Sequence, residues 1–346
     1  MARISINIVT WNSLKYLSQA LSSILNQTYR DFRLLIVDNG SSDGTAEYVR
    51  KNFPEAGVLR NVKNLGFTRA HNQGIAYAQA HLGGDGGEPL VLITNPDIIL
   101  EPDFLEKLVA EMDRRPEAGS AGGKLLKVFE RGDGDVREAV KTNVIDSTGI
   151  RMTRSRRAID RGAGELDDRG KFDRPEEVFG VSGAIALYRL SALDDVAYRG
   201  ECLDEDFFAY KEDIDLAWRL RLRGWSSLYV PAAKAYHYRT AAGREKASVR
   251  EIISGRRGRS KMVNFFSYRN HLLMRAKNDQ WQNYLLHWPW IWWYELRKSF
   301  YILFFEPATF KAYFSYLRLL PRALAKRRLS LGRKQVSAKD IRRWFK

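Results

Sequence analysis

A single cysteine, Cys202, in 346 residues excludes an internal disulfide and a cysteine-rich zinc site. No long apolar run precedes Thr10, so a secretory leader is not expected and the simplest compartment is the cytoplasm. Internal repeats and low-complexity tracts are missing, and with 45% hydrophobic residues the chain has ample material for a core, which excludes disordered and collagen-like classes. The Gly-x-Gly-x-x-Gly fingerprint is absent too: Thr10-Trp11-Asn12-Ser13 stands where it would follow the first strand, so a nicotinamide dinucleotide site is excluded. Acidic residues are scarce at the carboxyl end. Residues 318–346 hold eleven Lys or Arg against Asp340 alone, giving +10 of the net +16. The main body is only mildly basic and shows no nucleic-acid motif, so no nucleic-acid partner is expected.

What is present is an alternation of strand and helix patterns. Residues 4–9 alternate apolar and polar, and 33–37 form an apolar run before Asp38-Asn39-Gly40. Between them Leu14, Leu17, Leu21, Ile24 and Leu25 recur at helical spacing behind the capping candidates Asn12 and Ser13. A helix capped by Ser42 or Asp43, a strand over 57–60, a helix over 67–81 and a strand over 90–94 repeat the unit. This order predicts an α/β fold with a mostly parallel central sheet between helices. Residues 83–88 read as a surface loop, and the Gly-rich, charged stretch 131–174 as a flexible excursion over the sheet. Apolar and small residues return over 178–187. A helix over 213–223 and a strand over 227–230 ending at Pro231 follow.

Three carboxylate clusters carry chemistry. Asp38 ends an apolar strand, where open parallel sheets gather ligands, although a plain turn and helix cap has the same pattern. Asp97 follows the next strong strand in Asn95-Pro96-Asp97, where Pro96 directs it to the same rim. Glu212-Asp213-Ile214-Asp215 opens a helix, and a carboxylate at a helix N-terminus stays ionised as a general base must. An acidic first turn with an Asp215–Arg219 pair explains that cluster equally well.

Taken together, Val9-Thr10-Trp11-Asn12, the run Val37 to Thr45, Asn64-Leu65-Gly66-Phe67, Asn95-Pro96-Asp97 and the run Glu212 to Arg219 come in the order of glycosyltransferase family 2. Residues 3–240 resemble its rhamnosyltransferase-like branch. The resemblance implies a GT-A fold, a dTDP- or UDP-sugar donor and Mg²⁺ or Mn²⁺. It implies that Thr10, Trp11, Asn12, Asp38, Asn39, Asn64, Gly66, Phe67 and Asn95 serve the nucleotide donor, that Asp97 and His237 serve the metal, and that Asp213 is the catalytic base. Gly183 and Glu212 fall on the acceptor side. Asn95 replaces the first Asp of the family's DXD-like motif, and Thr68-Arg69-Ala70-His71 stand where the family often has small residues. The implied reaction is an inverting transfer of rhamnose to a lipid-linked or cell-surface saccharide. A UDP-hexose or UDP-galactofuranose transferase and a non-catalytic nucleotide-sugar scaffold are the alternatives.

Residues 1–240 read as the catalytic domain and 241–346 as a helical, aromatic and basic extension. Residues 281–305 contain eleven Trp, Tyr or Phe, but Glu295, Arg297, Lys298 and Pro289 interrupt any bilayer span. An interfacial helix followed by basic charge suits an anionic membrane surface, peripheral on the inner face of the cell membrane. An aromatic core packed on the catalytic domain, or a homodimer interface, are the other uses of the segment.

Overall fold

The computed structural model describes residues 2–83, 87–131, 138–167, 170–238 and 261–346. The expected loop at 83–88 therefore lies partly outside the described residues, as does the expected domain boundary at 240. Strands β1 (Ile4–Thr10), β2 (Phe32–Asp38), β3 (Gly57–Arg60) and β4 (Leu90–Thr94) are parallel, in the spatial order β4-β1-β2-β3. Helices α1 (Leu14–Leu25), α2 (Thr45–Asn52) and α3 (Phe67–His81) make the crossovers between them. Ile4, Ile6 and Ile8 are fully buried against Leu17, Leu21 and Ile24 on one face of the sheet. This fits the alternating pattern of the strand and the helical spacing behind it.

Beyond β4 the sheet becomes mixed. Strand β5 (Ile98–Leu100) and α4 (Phe104–Arg114) lead to β6 (Ala118–Arg131), and β11 (Ile185–Arg189), preceded by the short β10 (Glu176–Glu177) and followed by α5 (Leu190–Val196), inserts antiparallel between β4 and β6. The stretch 131–174 corrects the expectation of a flexible excursion. Its described residues form β7 (Glu138–Ser147), antiparallel to β6, and the hairpin β8 (Ile150–Met152) with β9 (Ala158–Asp160). Ile145, Ile150 and Met152 are buried there, so a few well-spaced apolar residues suffice once long-range pairing supplies the hydrogen bonds.

Strand β12 (Ser226–His237) also exceeds its expected end at Pro231. The register on β6 shifts between Val230 and Lys234, so the proline sits at an irregularity, where its missing N–H costs no ladder bond. The cap of α1 differs as well. Ser13 makes no side-chain cap, and Asp43 accepts the Leu14 N–H at 3.1 Å and the Thr45 N–H at 3.1 Å, serving two helix starts at once.

The carboxyl-terminal part is helical: α7 (Lys261–Asn278), α8 (Trp281–Phe305), α9 (Lys311–Gly332) and α10 (Ala338–Arg342). It packs on α6 (Glu212–Leu222) and on the β8–β9 hairpin. Ile341 and Phe345 are buried with Trp218 and Met152, and the backbone N–H of Lys346 donates to the Met152 carbonyl at 3.0 Å. Lys326, counted among the basic residues of the tail, is buried and bonded to Glu201, Asp204 and Asp206, which withdraws it from solvent.

Helix α8 is inverted relative to an ordinary core helix. Its buried stripe is Asn283, His287, Ile291, Lys298 and Ile302, whereas its five tryptophans are 48–64% exposed. The alternative of an aromatic core packed on the catalytic domain is thereby overturned. No helix among the described residues is long and apolar enough to cross a membrane.

Candidate functional site

Parallel register brings the carboxyl ends of three strands to one rim. Thr10 stands opposite Asp38, and Ile8 opposite Thr94, two residues before Pro96. Thr10 Oγ1 donates to Asp38 Oδ1 at 3.2 Å, and both residues are fully buried. Asp38 Oδ2 has no hydrogen-bond partner among the described residues, and the Arg60 Nε is 3.4 Å away. An unpartnered buried carboxylate oxygen carries a desolvation cost that a ligand donor would relieve.

The asparagines of the rim build the loops around this carboxylate. Asn12, at φ 51°, accepts the Ser42 N–H at 2.9 Å through its side chain. Asn39 donates to Asn64 Oδ1 at 2.9 Å and accepts the Leu65 N–H at 3.0 Å; Asn64 accepts the Gly66 N–H at 2.8 Å. Gly66 has φ 90°, and a Cβ there would meet the Phe208 ring at 2.5 Å, so only glycine lets the loop enter α3 with Phe67. Trp11 is half exposed over this edge. The Asn95 backbone N–H donates to the Ala184 carbonyl at 2.8 Å, which joins the rim to the approach to β11.

Asp97 and His237 meet from opposite directions. The Tyr238 N–H donates to the Asp97 carbonyl at 3.0 Å, and His237 Nε2 lies 3.5 Å from Asp97 Oδ1. His237 Nδ1 is 2.9 Å from Asp146 Oδ2, and Asp146 is fully buried on β7. Burial alone would lower the imidazole pKa, but the bond to Asp146 and the nearby Asp97 carboxylate outweigh it and raise the value to about 9.

Among the described residues no group of three or more His, Cys, Asp or Glu is arranged to hold a metal ion. The pair still fits a cation bound mainly through other oxygens. Asp97 Oδ1 is buried without a hydrogen-bond partner among the described residues, and Asp146 fixes the His237 ring as carboxylates do behind metal-binding histidines. Asp146 has no signal in the sequence, because it lies in the stretch read as irregular.

Asp213 begins α6. Its Oδ2 accepts the Gly183 N–H at 3.0 Å and its Oδ1 accepts the Ile214 N–H at 2.8 Å. Burial raises its pKa; the positive charge of Lys211 and these two bonds oppose that rise, and Asp160 adds to it. Glu212 is buried with Oε2 unpartnered among the described residues, and burial followed by the Asp213 charge pushes it up to about 8. Asp215 faces the other way: Arg219 Nε and Lys277 Nζ donate to its Oδ2 at 2.9 Å each and Asn278 donates to its Oδ1 at 2.7 Å, which makes it a structural anchor.

An open α/β sheet with a buried carboxylate where its strands end, and further acidic side chains on the neighbouring loops, is the arrangement in which such folds gather ligands. The family model described as Glycosyl transferase family 2 matches residues 5–197, more than half of the chain, and the chain belongs to that family. It is a glycosyltransferase of GT-A fold. It is similar to the N-acetylglucosaminyl-diphospho-decaprenol L-rhamnosyltransferase of Mycobacterium tuberculosis, 32% identical over 247 residues, covering 69% of this chain and 78% of that protein. Poly-beta-1,6-N-acetyl-D-glucosamine synthase of Staphylococcus epidermidis is 26% identical over 66% of this chain and 48% of its own length.

Two solved structures share the fold. GalNAc-T7 with UDP, GalNAc and Mn²⁺ superposes with TM-score 0.58 at 15% identity, over 81% of this chain and 49% of that one. Residues 1–349 of S. aureus TarS in complex with UDP superpose with TM-score 0.53 at 17% identity, over 96% and 89%.

The packing at Gly183 gives a direct test of the site. A Cβ on this residue would lie 2.9 Å from the Asp213 Cβ. Gly183→Ala is expected to displace the Asp213 carboxylate and lower turnover while far-ultraviolet circular dichroism stays at the parent signal. Parent turnover in a folded Gly183→Ala variant would separate this contact from activity.

Proposed function

We propose that the enzyme transfers rhamnose from dTDP-rhamnose to a hydroxyl of a lipid-linked saccharide, with inversion at the anomeric carbon, in cell-envelope polysaccharide synthesis. The observation that supports the chemistry is Asp213, oriented by two backbone N–H groups at the start of α6. The rhamnosyl donor and lipid-linked acceptor rest on the similarity to the mycobacterial enzyme. In this reading Asp213 takes the acceptor proton as its oxygen bonds to the anomeric carbon. The bond from that carbon to the diphosphate breaks, and the nucleoside diphosphate leaves with the electron pair.

Thr10, Asp38, Asn39 and the Asn64–Phe67 loop would hold the nucleoside, with Trp11, Asn12 and Asn95 around it. Asp97 and His237 would hold Mg²⁺ or Mn²⁺, which offsets charge on a departing diphosphate when bound. Gly183 and Glu212 would border the acceptor.

The test is thermal stabilisation across dTDP-, UDP- and GDP-sugars with and without Mn²⁺, followed by transfer assays with the donor that binds. A Mn²⁺-dependent shift with dTDP-rhamnose is expected, and it should disappear in Asp97→Ala. Asp213→Asn should keep the shift and lose turnover by about 10²- to 10⁴-fold, the usual contribution of a general base. A shift with a UDP-hexose alone would replace the donor. Unchanged turnover in Asp213→Asn would remove the base.

Because the Lys211 charge opposes the raised pKa of Asp213, Lys211→Met should move the acid limb of kcat/KM upward. The shift is upward, since activity requires the ionised base and the variant ionises later. A limb that stays in place or moves down would contradict Asp213 as the titrating base.

The same reading places the enzyme on the inner face of the cell membrane. Its support is the inverted helix α8, whose exposed tryptophans are followed by exposed Phe310 and Phe314, a run of open apolar side chains of the kind that marks an interaction surface. Arg297, Lys311 and Arg318 supply neighbouring positive charge. Binding to phosphatidylglycerol-containing vesicles is expected, weakening with salt and falling at least about tenfold in the double variant Trp292→Glu/Trp293→Glu. Vesicle binding unchanged in that variant would sink the surface. A dimer in sedimentation velocity that the variant abolishes would assign the face to a second copy.

A further inference from the structure

The segment before the Asp213 helix holds an unusual backbone. Phe208, Tyr210 and Lys211 have φ values of 64°, 72° and 71°, and none is glycine. Such a run persists only where surrounding groups hold it. The holding groups come from α7. The side-chain nitrogen of Asn270, a fully buried residue, donates to the carbonyls of Phe207, Ala209 and Tyr210 at 2.9, 2.8 and 2.8 Å. Arg269 donates from its Nε to Asn270 Oδ1 at 3.0 Å, which aims the amide nitrogen at the loop. Its Nη2 donates to the carbonyls of Asp206 and Phe207 at 2.6 and 2.9 Å.

The clamped loop touches both halves of the site. At its start the Phe208 carbonyl accepts the Thr68 N–H at 3.1 Å, and the Phe208 ring closes over Gly66. At its end Lys211 accepts the Asp215 N–H at 3.0 Å and carries the charge that opposes the rise in Asp213's pKa. We infer that Asn270, braced by Arg269, is a positioning residue that holds the 207–211 loop, with its three positive-φ residues, in place and thereby fixes Asp213 relative to the loop at Gly66. Only its kinetic arm rests on the proposed role of Asp213.

The inference is read by hydrogen exchange and by kinetics on the full chain. In Asn270→Ala, amides of peptide 205–214 should exchange at least about tenfold faster, with peptides from β1 and β4 at the parent rate. Turnover should fall by about tenfold or more and by more than dTDP affinity, because Asp213 loses its brace while the Gly66 loop keeps its own bonds from Asn39 and Asn64. Adding Tyr210→Gly, which removes the penalty for positive φ, should return part of the turnover and protection. Asn270→Ser keeps one donor and should fall between parent and Asn270→Ala, which preserves the test where the alanine variant folds poorly.

Parent exchange rates in 205–214 of the alanine or serine variant would overturn the clamp. Equal losses of dTDP affinity and turnover, or no recovery on adding Tyr210→Gly, would also overturn it. A parent protein that transfers from no donor tested would count against the proposed donor and leave the exchange result standing.

Discussion

The site depends first on the parallel register of β1, β2 and β4. Because Thr10 and Asp38 end their strands opposite each other, and β4 ends two residues before Pro96, three separate turns open at one level. Polar side chains released at those turns share one crevice without any long-range steering. The antiparallel insertion of β11 beside β4 then carries Gly183 to the same level, and its N–H becomes a donor to Asp213. Each of these contacts is short and local once the register is set. A slip of one residue in β1 would turn Thr10 to the other face and leave Asp38 buried without its hydroxyl partner.

Much of that rim was legible in the sequence. Apolar alternation over residues 4–9 marked β1 even though Ser5 and Asn7 are buried with it, and the run before Asp38 marked β2, where burial on both faces leaves a near-continuous apolar pattern. Motif order brought Thr10, Asp38, Asn64, Asp97 and Asp213 together as candidates, and all of them lie at or beside the rim. Asp146 and the pair Arg269–Asn270 were not legible. Asp146 enters through β7, whose pairing to β6 is fixed by tertiary hydrogen bonds and a few spaced apolar residues. Asn270 acts through carbonyls about sixty residues away in sequence, and an asparagine within a helix has no spacing that announces such partners. The capping candidates of α1 failed for a related reason: Asp43, a cap expected for α2, reaches both helix starts from one loop, so the better acceptor displaced Ser13.

Electrostatics divides the acidic cluster of α6 into unlike roles. Asp215 receives Arg219, Lys277 and Asn278 and is fully compensated. Asp213 receives only backbone N–H groups and the more distant charge of Lys211, and Glu212 has one oxygen with no donor among the described residues. The compensated carboxylate ties helices together; the other two keep raised pKa values and an incomplete set of donors, the state in which perturbed carboxylates are found at functional sites.

The ionic contacts between α6–α7 and α9 bear on how such enzymes can be recombined. Asp204 sits between Lys277 and Lys326, and Asp215 takes Lys277 and Asn278 beside its own Arg219, so the carboxyl-terminal helices supply charge that these two buried acids depend on. The two regions are electrostatically one body. A chimaera that joined this sheet domain to the helices of a relative would strand Asp204 and leave Asp215 with Arg219 alone unless the matching lysines came with them. Sequence exchange among such enzymes is therefore constrained to move the acids and their lysines as a set.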